Sequence, residues 1–297
     1  MPCRPPEVSR RPLLADEPTG PASAGALRSA RRLLARKGRQ ASGQFLAEGP
    51  QAVREAAAAG LVRRCFVTGQ AQSRLQLLLA QLRQSGVEVL VTAEADLDRL
   101  VGTVNPQGIV AVCAMVPATL DELLDRDPQL VVVCAQVRDP GNAGTVIRCA
   151  DAFGAAGVVL TGQSVEPYNP KTVRATVGSV FHLPVVHGLS LSETVTALRK
   201  VGLWVLAADG SGTTTLTELE HDDALARPVA WVFGNEAWGL PAADRALVDQ
   251  VIRVPMWGQA ESLNLSTAAA VCLYATAAAH HRVSSPRQPV PVAKLPS

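Results

Sequence analysis

The sequence predicts an α/β fold in two parts, a small unit of about 90 residues and a larger unit after it. Three observations lead there. Short β-branched apolar runs alternate with segments of helical periodicity along most of the 297 residues. The chain is long enough for about two domains, each with its own core. Between the parts lies an acidic stretch, Pro117 to Pro128, with Asp121, Glu122, Asp125 and Asp127, which suits a linker or short helix.

Taken in order, residues 1–25 carry six prolines and no periodic apolar set, so they read as a disordered leader. Ala26 to Arg39 reads as one helix, with Leu27, Ala30, Leu33 and Leu34 inward. Its outward face carries Arg28, Arg31, Arg32, Arg36 and Lys37. Gln44 to Ala47 follows as a strand, then Glu48-Gly49-Pro50 and a helix through Ala59. Arg63 to Thr68 is strand, Gln72 to Ser85 helix, Val87 to Val91 strand, Ala95 to Val101 helix and Gly108 to Val116 strand. This first domain spans 26–116, the linker 117–128.

The second domain, 129–283, opens on the apolar run Leu130 to Val137, which is the right length for one buried strand. Asp139-Pro140-Gly141-Asn142-Ala143-Gly144 ends that strand, and a helix follows with Val146, Ile147, Cys149, Ala150 and Phe153 at helical spacing. Strand, small-residue loop and helix in that order place Asn142 and Arg148 at the carboxyl end of a strand, where open α/β sheets bind ligands. Gly141 and Gly144 read either as a tight turn or as an opening for backbone N–H groups to approach a ligand.

Gly157 to Leu160 is the next strand. Asn169-Pro170 starts a helix that carries Lys171 and Arg174. Phe181 to Val186 reads as strand, Ser192 to Val201 as helix, Leu203 to Ala208 as strand, and the polar Leu216 to Arg227 as a surface excursion. Val229 to Phe233 and Asp249 to Val254 are strands. A last helix, Ser266 to about His281, is apolar nearly all round and needs cover on more than one side. Residues 284–297 read as a disordered tail.

The net charge is only +2, yet nine Lys/Arg face two acids between Arg28 and Arg64. One basic face and a polyanionic partner follow, against the alternative of a merely solvated helix face. Six cysteines stand singly with no C-x-x-C pair, and five histidines form no metal-ligand spacing, so no metal is expected. No apolar run reaches the roughly 18 residues of a membrane span and the first residues lack a signal-peptide core, so a cytoplasmic protein is expected.

Three strands end in loops of one character: D-P-G-N-A-G-x-x-x-R, F-G-N-E-A-W-G-L-P and P-M-W-G-x-x-E-S-L-N-L-S. Each brings glycines and one or two polar side chains, as a crevice for a flexible polar ligand requires. A dinucleotide enzyme would need G-x-G-x-x-G with an acid about 20 residues on; Glu166 stands near the right distance, but the glycine pattern fails. In order and spacing the three loops resemble the motifs of the SpoU (TrmH-like) RNA ribose 2′-O-methyltransferases of the SPOUT class. The first domain, with its basic helix, F-L-A-E-G-P and N-P-Q-G-I-V-A-V, resembles the L30e-like substrate-binding domain that precedes some of these enzymes.

The resemblance implies a parallel-sheet α/β catalytic domain with a C-terminal trefoil knot, one of the few exceptions to the rule against knots. It implies S-adenosyl-L-methionine as cofactor, RNA as substrate and a homodimer. Carried over by motif, Asn142, Arg148, Glu236, Ser262 and Asn264 are the catalytic set, and backbone around Gly234, Asn235, Ile252, Gly258 and Leu263 holds the methyl donor. RNA is assigned to Arg28, Arg31, Arg32, Arg36, Lys37 and Arg174. Ribosomal RNA is favoured over transfer RNA, because a separate basic domain suits a large structured substrate. Read singly, Arg148 is also a helix-surface arginine, Glu236 a carboxylate at a helix N-terminus and Asn264 an N-cap.

Overall fold

A computed structural model describes residues 20–103 and 106–284. The expected leader up to Thr19, the tail from Ser285 and Asn105 lie outside the described residues. The chain divides into two compact units between Ala114 and Met115.

The first unit contains α1 (Ala24–Arg32), α2 (Arg36–Ser42), β1 (Gln44–Glu48), α3 (Pro50–Ala58), β2 (Val62–Thr68), α4 (Gly69–Arg74), α5 (Gln76–Gln84), β3 (Glu88–Thr92), α6 (Glu94–Asp98) and β4 (Ile109–Ala114). Its sheet runs β1-β4-β2-β3, with β2 and β3 parallel and β4 antiparallel to both its neighbours. Ala30 and Leu33 pack with Leu46, Phe66, Leu90, Leu97 and Val110 in one core cluster. Residues 20–25 of the expected leader belong to the first unit. Gly20 and Ala22 bond to the backbone of Val91, so residues 20–22 extend the sheet beside β3.

The single helix expected over Ala26 to Arg39 is two. Ala35 is extended, and Gly38 lies so close to the end of α1 that a Cβ there would fall 1.9 Å from the Arg32 carbonyl oxygen. Arg39, one of the basic run, is buried and donates to the Leu33 and Leu34 carbonyls at 2.8 and 2.9 Å. It satisfies the orphan end of α1 instead of facing a ligand. Arg28, Arg31, Arg32, Arg36 and Lys37 are exposed, as the periodicity required.

The second unit contains α7 (Leu120–Leu124), β5 (Leu130–Ala135), α8 (Pro140–Ala152), β6 (Gly157–Thr161), α9 (Pro170–Thr176), β7 (Val185–His187), α10 (Leu191–Lys200), β8 (Trp204–Ala208), β9 (Thr214–Thr215), α11 (Leu216–His221), β10 (Val229–Phe233), α12 (Ala242–Arg245), β11 (Gln250–Arg253) and α13 (Leu265–Ser284). Its sheet is parallel throughout in the order β7-β6-β5-β10-β8-β11-β9. Pleating explains the apolar runs. Leu130, Val132 and Cys134 enter one core with α8 and α13, while Val131, Val133 and Ala135 enter the opposite core with α10. Burial pushes the Cys134 thiol up to about 12 and raises those of Cys65, Cys113 and Cys272, so these cysteines act as small hydrophobes.

The segment 117–128 carries the short helix its composition suits: α7 has a Thr119/Glu122 capping box, and its Leu123 is fully buried in the second unit. Two expectations change here. Of the strand expected over Phe181 to Val186, only Val185 and Val186 lie in one, the shorter β7, and Phe181 ends a 3₁₀ turn, Ser179–Phe181. Leu216 to Arg227 is amphipathic, with Leu216, Leu219 and Leu225 buried in the same core as α13. Its polar composition had described only its outer side.

Helix α13 is held by a specific bond as well as by packing. Trp231 of β10 is fully buried, and its indole N–H donates to Thr276 Oγ1 at 2.9 Å; that hydroxyl donates in turn to the Cys272 carbonyl. A buried indole needs such a partner, which accounts for one polar residue inside an apolar helix. Ala269, Leu273 and Ala275 are buried within the chain itself. What stays exposed among the described side chains of the helix is a narrow stripe, Thr267, Val271 and Tyr274, and near its end His281 and Arg282.

Candidate active site

Four neighbouring strands, β5, β10, β8 and β11, end in the loops that build the site, at the carboxyl edge of a parallel sheet. The link from β8 to β9 arches over the end of β11, which lies between them. Gly212 in that arch is so close that a Cβ would sit 2.7 Å from Arg253 N and Val251 O.

A cleft of about 600 Å³ opens between the loops, lined by Asp209, Gly234, Glu236, Arg253, Ser262 and Leu263 among others. Its size lies in the range of small-molecule sites. Three acids, Asp209, Glu236 and Glu261, face one cation, Arg253, so the lining suits a ligand that carries positive charge. Burial opposes ionisation of Asp209 but is outweighed: its carboxylate accepts from the Ser211 hydroxyl and N–H at 2.6 and 2.9 Å, and the Leu240 N–H and the Arg245 guanidinium add to the lowering of its pKa.

Beside the cleft a polar relay joins three of the predicted residues. Asn264, leading into α13, accepts from the Ser266 N–H and hydroxyl through Oδ1 and donates through Nδ2 to Asn142 Oδ1 at 3.0 Å. Asn142 donates through Nδ2 to Glu236 at 3.2 Å. The Glu236 carboxylate also accepts the N–H groups of Asp139 and Arg138, at 3.1 and 3.4 Å. Each amide therefore has one orientation that satisfies both its ends. Asn264 is an N-terminal cap and a member of the relay at once.

Asp139 caps α8, accepting from Asn142 N–H at 2.8 Å. That bond is the largest cause of its lowered pKa, and Lys171 at 3.5 Å adds to it. The helix that carries Asn142 thus starts from a fixed point.

The other predicted residues divide between the cleft and its surroundings. Asn235 lines the cleft and also holds its wall: Nδ2 donates to the Gln136 carbonyl at 2.7 Å and Oδ1 accepts from Ala237 N–H at 2.9 Å, which locks the loop after β10. Ile252 is fully buried and its carbonyl accepts from Asp209 N–H, so Arg253 and Val254 line the cleft in its place. Gly258 does not line it, and nothing lies within 4 Å of its Cβ position. Gly144 serves packing, since a Cβ would fall 2.5 Å from the Thr172 carbonyl oxygen and 2.6 Å from Ala175 Cβ on α9. Gly234 is required because the loop folds back onto Gly239 and Leu240. Arg148 is exposed, six residues beyond Asn142, so it points about 120° away around α8 and lies outside the relay. Arg174 is half-buried in the last turn of α9. Sequence reasoning did not single out Asp209; its only signal was the glycine-rich A-D-G-S-G after a strand.

Residues 129–274 match the model of the SpoU rRNA Methylase family, and residues 46–119 match that of the RNA 2′-O ribose methyltransferase substrate-binding domain. The 23S rRNA (guanosine(2553)-2′-O)-methyltransferase RlmP of Bacillus subtilis is 33% identical over 82% of this chain and 92% of its own length. The chain belongs to the SpoU rRNA methylase family. Among solved structures, the SpoU methyltransferase AviRb of Streptomyces viridochromogenes in complex with AdoMet superposes with a TM-score of 0.75 at 31% identity, over 89% of this chain and 100% of that one. An AdoMet-bound rRNA methyltransferase from Sinorhizobium meliloti gives 0.74 at 30% identity, over 87% and 96%. The parallel-sheet SPOUT architecture and the RNA methyltransferase class expected from the motifs are those of its relatives.

Proposed function

We propose that this protein transfers a methyl group from S-adenosyl-L-methionine to a ribose 2′-hydroxyl of ribosomal RNA, as a cytoplasmic homodimer. The relay from Ser266 through Asn264 and Asn142 to Glu236, set at the mouth of an acidic cleft, carries the reading. The lining fits the donor, a sulfonium whose positive charge meets Asp209, Glu236 and Glu261. Gly234, Ser262, Leu263 and the backbone near Arg253 would hold it, and when bound it supplies an electrophilic methyl carbon.

The chain's own part is alignment and charge. Asn142 and Asn264 fix the position of a ribose hydroxyl against the cleft, and holding two reactants in line is worth several kcal/mol of barrier. Glu236, whose carboxylate accepts three hydrogen bonds, sits where a hydroxyl proton could be drawn away. The Arg148 guanidinium offers hydrogen-bond donors in a fixed fork and no acceptor. It serves as the clamp on the phosphate next to the target ribose and as counter-charge for the forming alkoxide. Its exposed position suits a site completed where one subunit's cleft meets the surface of a second copy. The exposed basic residues of α1 and α2 would hold the rest of the RNA.

Among the described residues no helix is long and apolar enough to cross a membrane and no group of side chains could hold a metal ion. The deciding experiment maps 2′-O-methyl positions in total RNA with and without the gene, then restores them with purified protein and S-adenosyl-L-methionine. A ribosomal position lost and restored supports the proposal. A change confined to transfer RNA moves the substrate, and no change at all leaves a non-catalytic RNA-binding protein.

A further inference from the structure

We infer that Arg138 and Trp238 together form the platform on which the nucleobase of the methylated nucleotide stacks. The inference rests on ribose methylation as proposed above. The Arg138 guanidinium lies 5.0 Å from the centroid of the Trp238 ring, and the backbone N–H of Arg138 is tied to the Glu236 carboxylate. Trp238 stands two residues after Glu236, inside a loop closed by reciprocal Asn235–Gly239 backbone bonds of 2.9 Å. The pair is therefore pinned to the relay from both sides.

The loop that holds Trp238 has ties of its own. Asn235 provides the polar ties, Gly239 turns the chain at φ +63°, and Leu240 supplies the buried apolar anchor. The indole is 49% exposed and makes no hydrogen bond among the described residues. The chain has four tryptophans, and two are committed elsewhere: Trp231 is buried on Thr276, and Trp204 lies under the Arg227 guanidinium at 3.7 Å. Trp257 is exposed too, but no described contact ties it to the relay.

The chemistry of the substrate selects this place. In a nucleotide the base is carried on C1′, one bond from the C2′ whose oxygen would be methylated. A surface that holds the base must then lie beside the group that holds the 2′-oxygen, and Trp238 lies beside Glu236. An indole face and a guanidinium plane both stack on unpaired bases without reading their edges. The pair would hold any splayed-out base, with sequence choice left to other contacts.

The test is a chemical double-mutant cycle. Wild type, Trp238→Ala and Trp238→Phe are assayed on a synthetic RNA that carries the mapped target nucleotide, and on the same RNA with that one base removed. Trp238→Ala should raise KM for the intact RNA on the order of tenfold, within the usual contribution of one base–aromatic stack. Trp238→Phe should stay within about threefold of wild type, because it keeps an aromatic face. On the abasic RNA the three proteins should be alike. Calorimetric titration with S-adenosyl-L-methionine checks that each variant keeps its cleft. Equal losses on intact and abasic RNA, or no loss in Trp238→Ala, overturn the inference while ribose methylation stands. A wild-type protein that methylates no ribose in total RNA removes the proposed function, and this inference with it.

Discussion

Gly144→Ala tests whether the first motif's second glycine exists for a ligand or for packing. In the structure the added methyl would lie 2.5 Å from the Thr172 carbonyl oxygen and 2.6 Å from Ala175 Cβ. Favourable contact needs a separation of roughly 3.5 Å, so α9 must retreat by about 1 Å. The opposing atom is helix backbone and cannot rotate away. Overpacking of this kind costs about 1–3 kcal/mol, against about 1 kcal/mol gained by replacing a helical glycine. The net is a loss of about 1 kcal/mol, or about 2–4 °C in melting temperature for a unit of this size. Activity should fall further, by up to about a hundredfold, because α8 carries Asn142 and a displacement near 1 Å is enough to spoil alignment. Gly25→Ala is the control: on exposed α1 its nearest neighbour would be 3.8 Å away, and stability should hold or rise. Calorimetric melting and single-turnover methylation measure the two effects. If Gly144→Ala melts at or above wild type yet loses S-adenosyl-L-methionine or RNA, the glycine serves ligand approach and the packing argument is wrong.

Arg148→Ala should abolish methyl transfer and leave donor affinity unchanged by calorimetry, since the residue lies outside the cleft; lost donor binding in a folded variant would sink its assignment to the RNA side. Replacing Arg28, Arg31, Arg32 and Lys37 by Gln should weaken RNA binding and lower its salt slope by about three units, each phosphate contact contributing just under one. An unchanged slope would make that run a solvated face. Wild-type protein should sediment as a dimer of the 31.2 kDa chain. Tyr274→Arg, placed on the exposed stripe of α13, should give a folded monomer by circular dichroism and sedimentation; Arg at the fully buried Leu273 would unfold the chain and decide nothing. A wild type that sediments near 31.2 kDa removes the dimer.

The strands and most of the helices of both units were legible in the sequence because each is a local pattern. Val131 and Val132 had to be apolar together once β5 was buried on both faces, and Asp139-Pro140 had to start a helix. The site motifs were legible for the same reason, as short runs of glycine and polar residues after strands. Where the sequence misled, the missing information was a distant partner. Nothing near Arg39 announces that its guanidinium fills the end of α1, and nothing near Leu216 shows that its helix lies against α13. The motif glycines carry the same lesson: Gly144 and Gly234 are glycine because α9 and the returning Leu240 backbone occupy the space of a side chain, so a spacing that reads as ligand approach is filled by protein. Only the tertiary structure could join Asn142 to Glu236 and Asn264, 94 and 122 residues further along the sequence, because hydrogen bonds at 3.2 and 3.0 Å depend on how neighbouring strands deliver their loops to one edge of the sheet. The sequence alone determined which residues could do chemistry; the order of strands decided which of them meet.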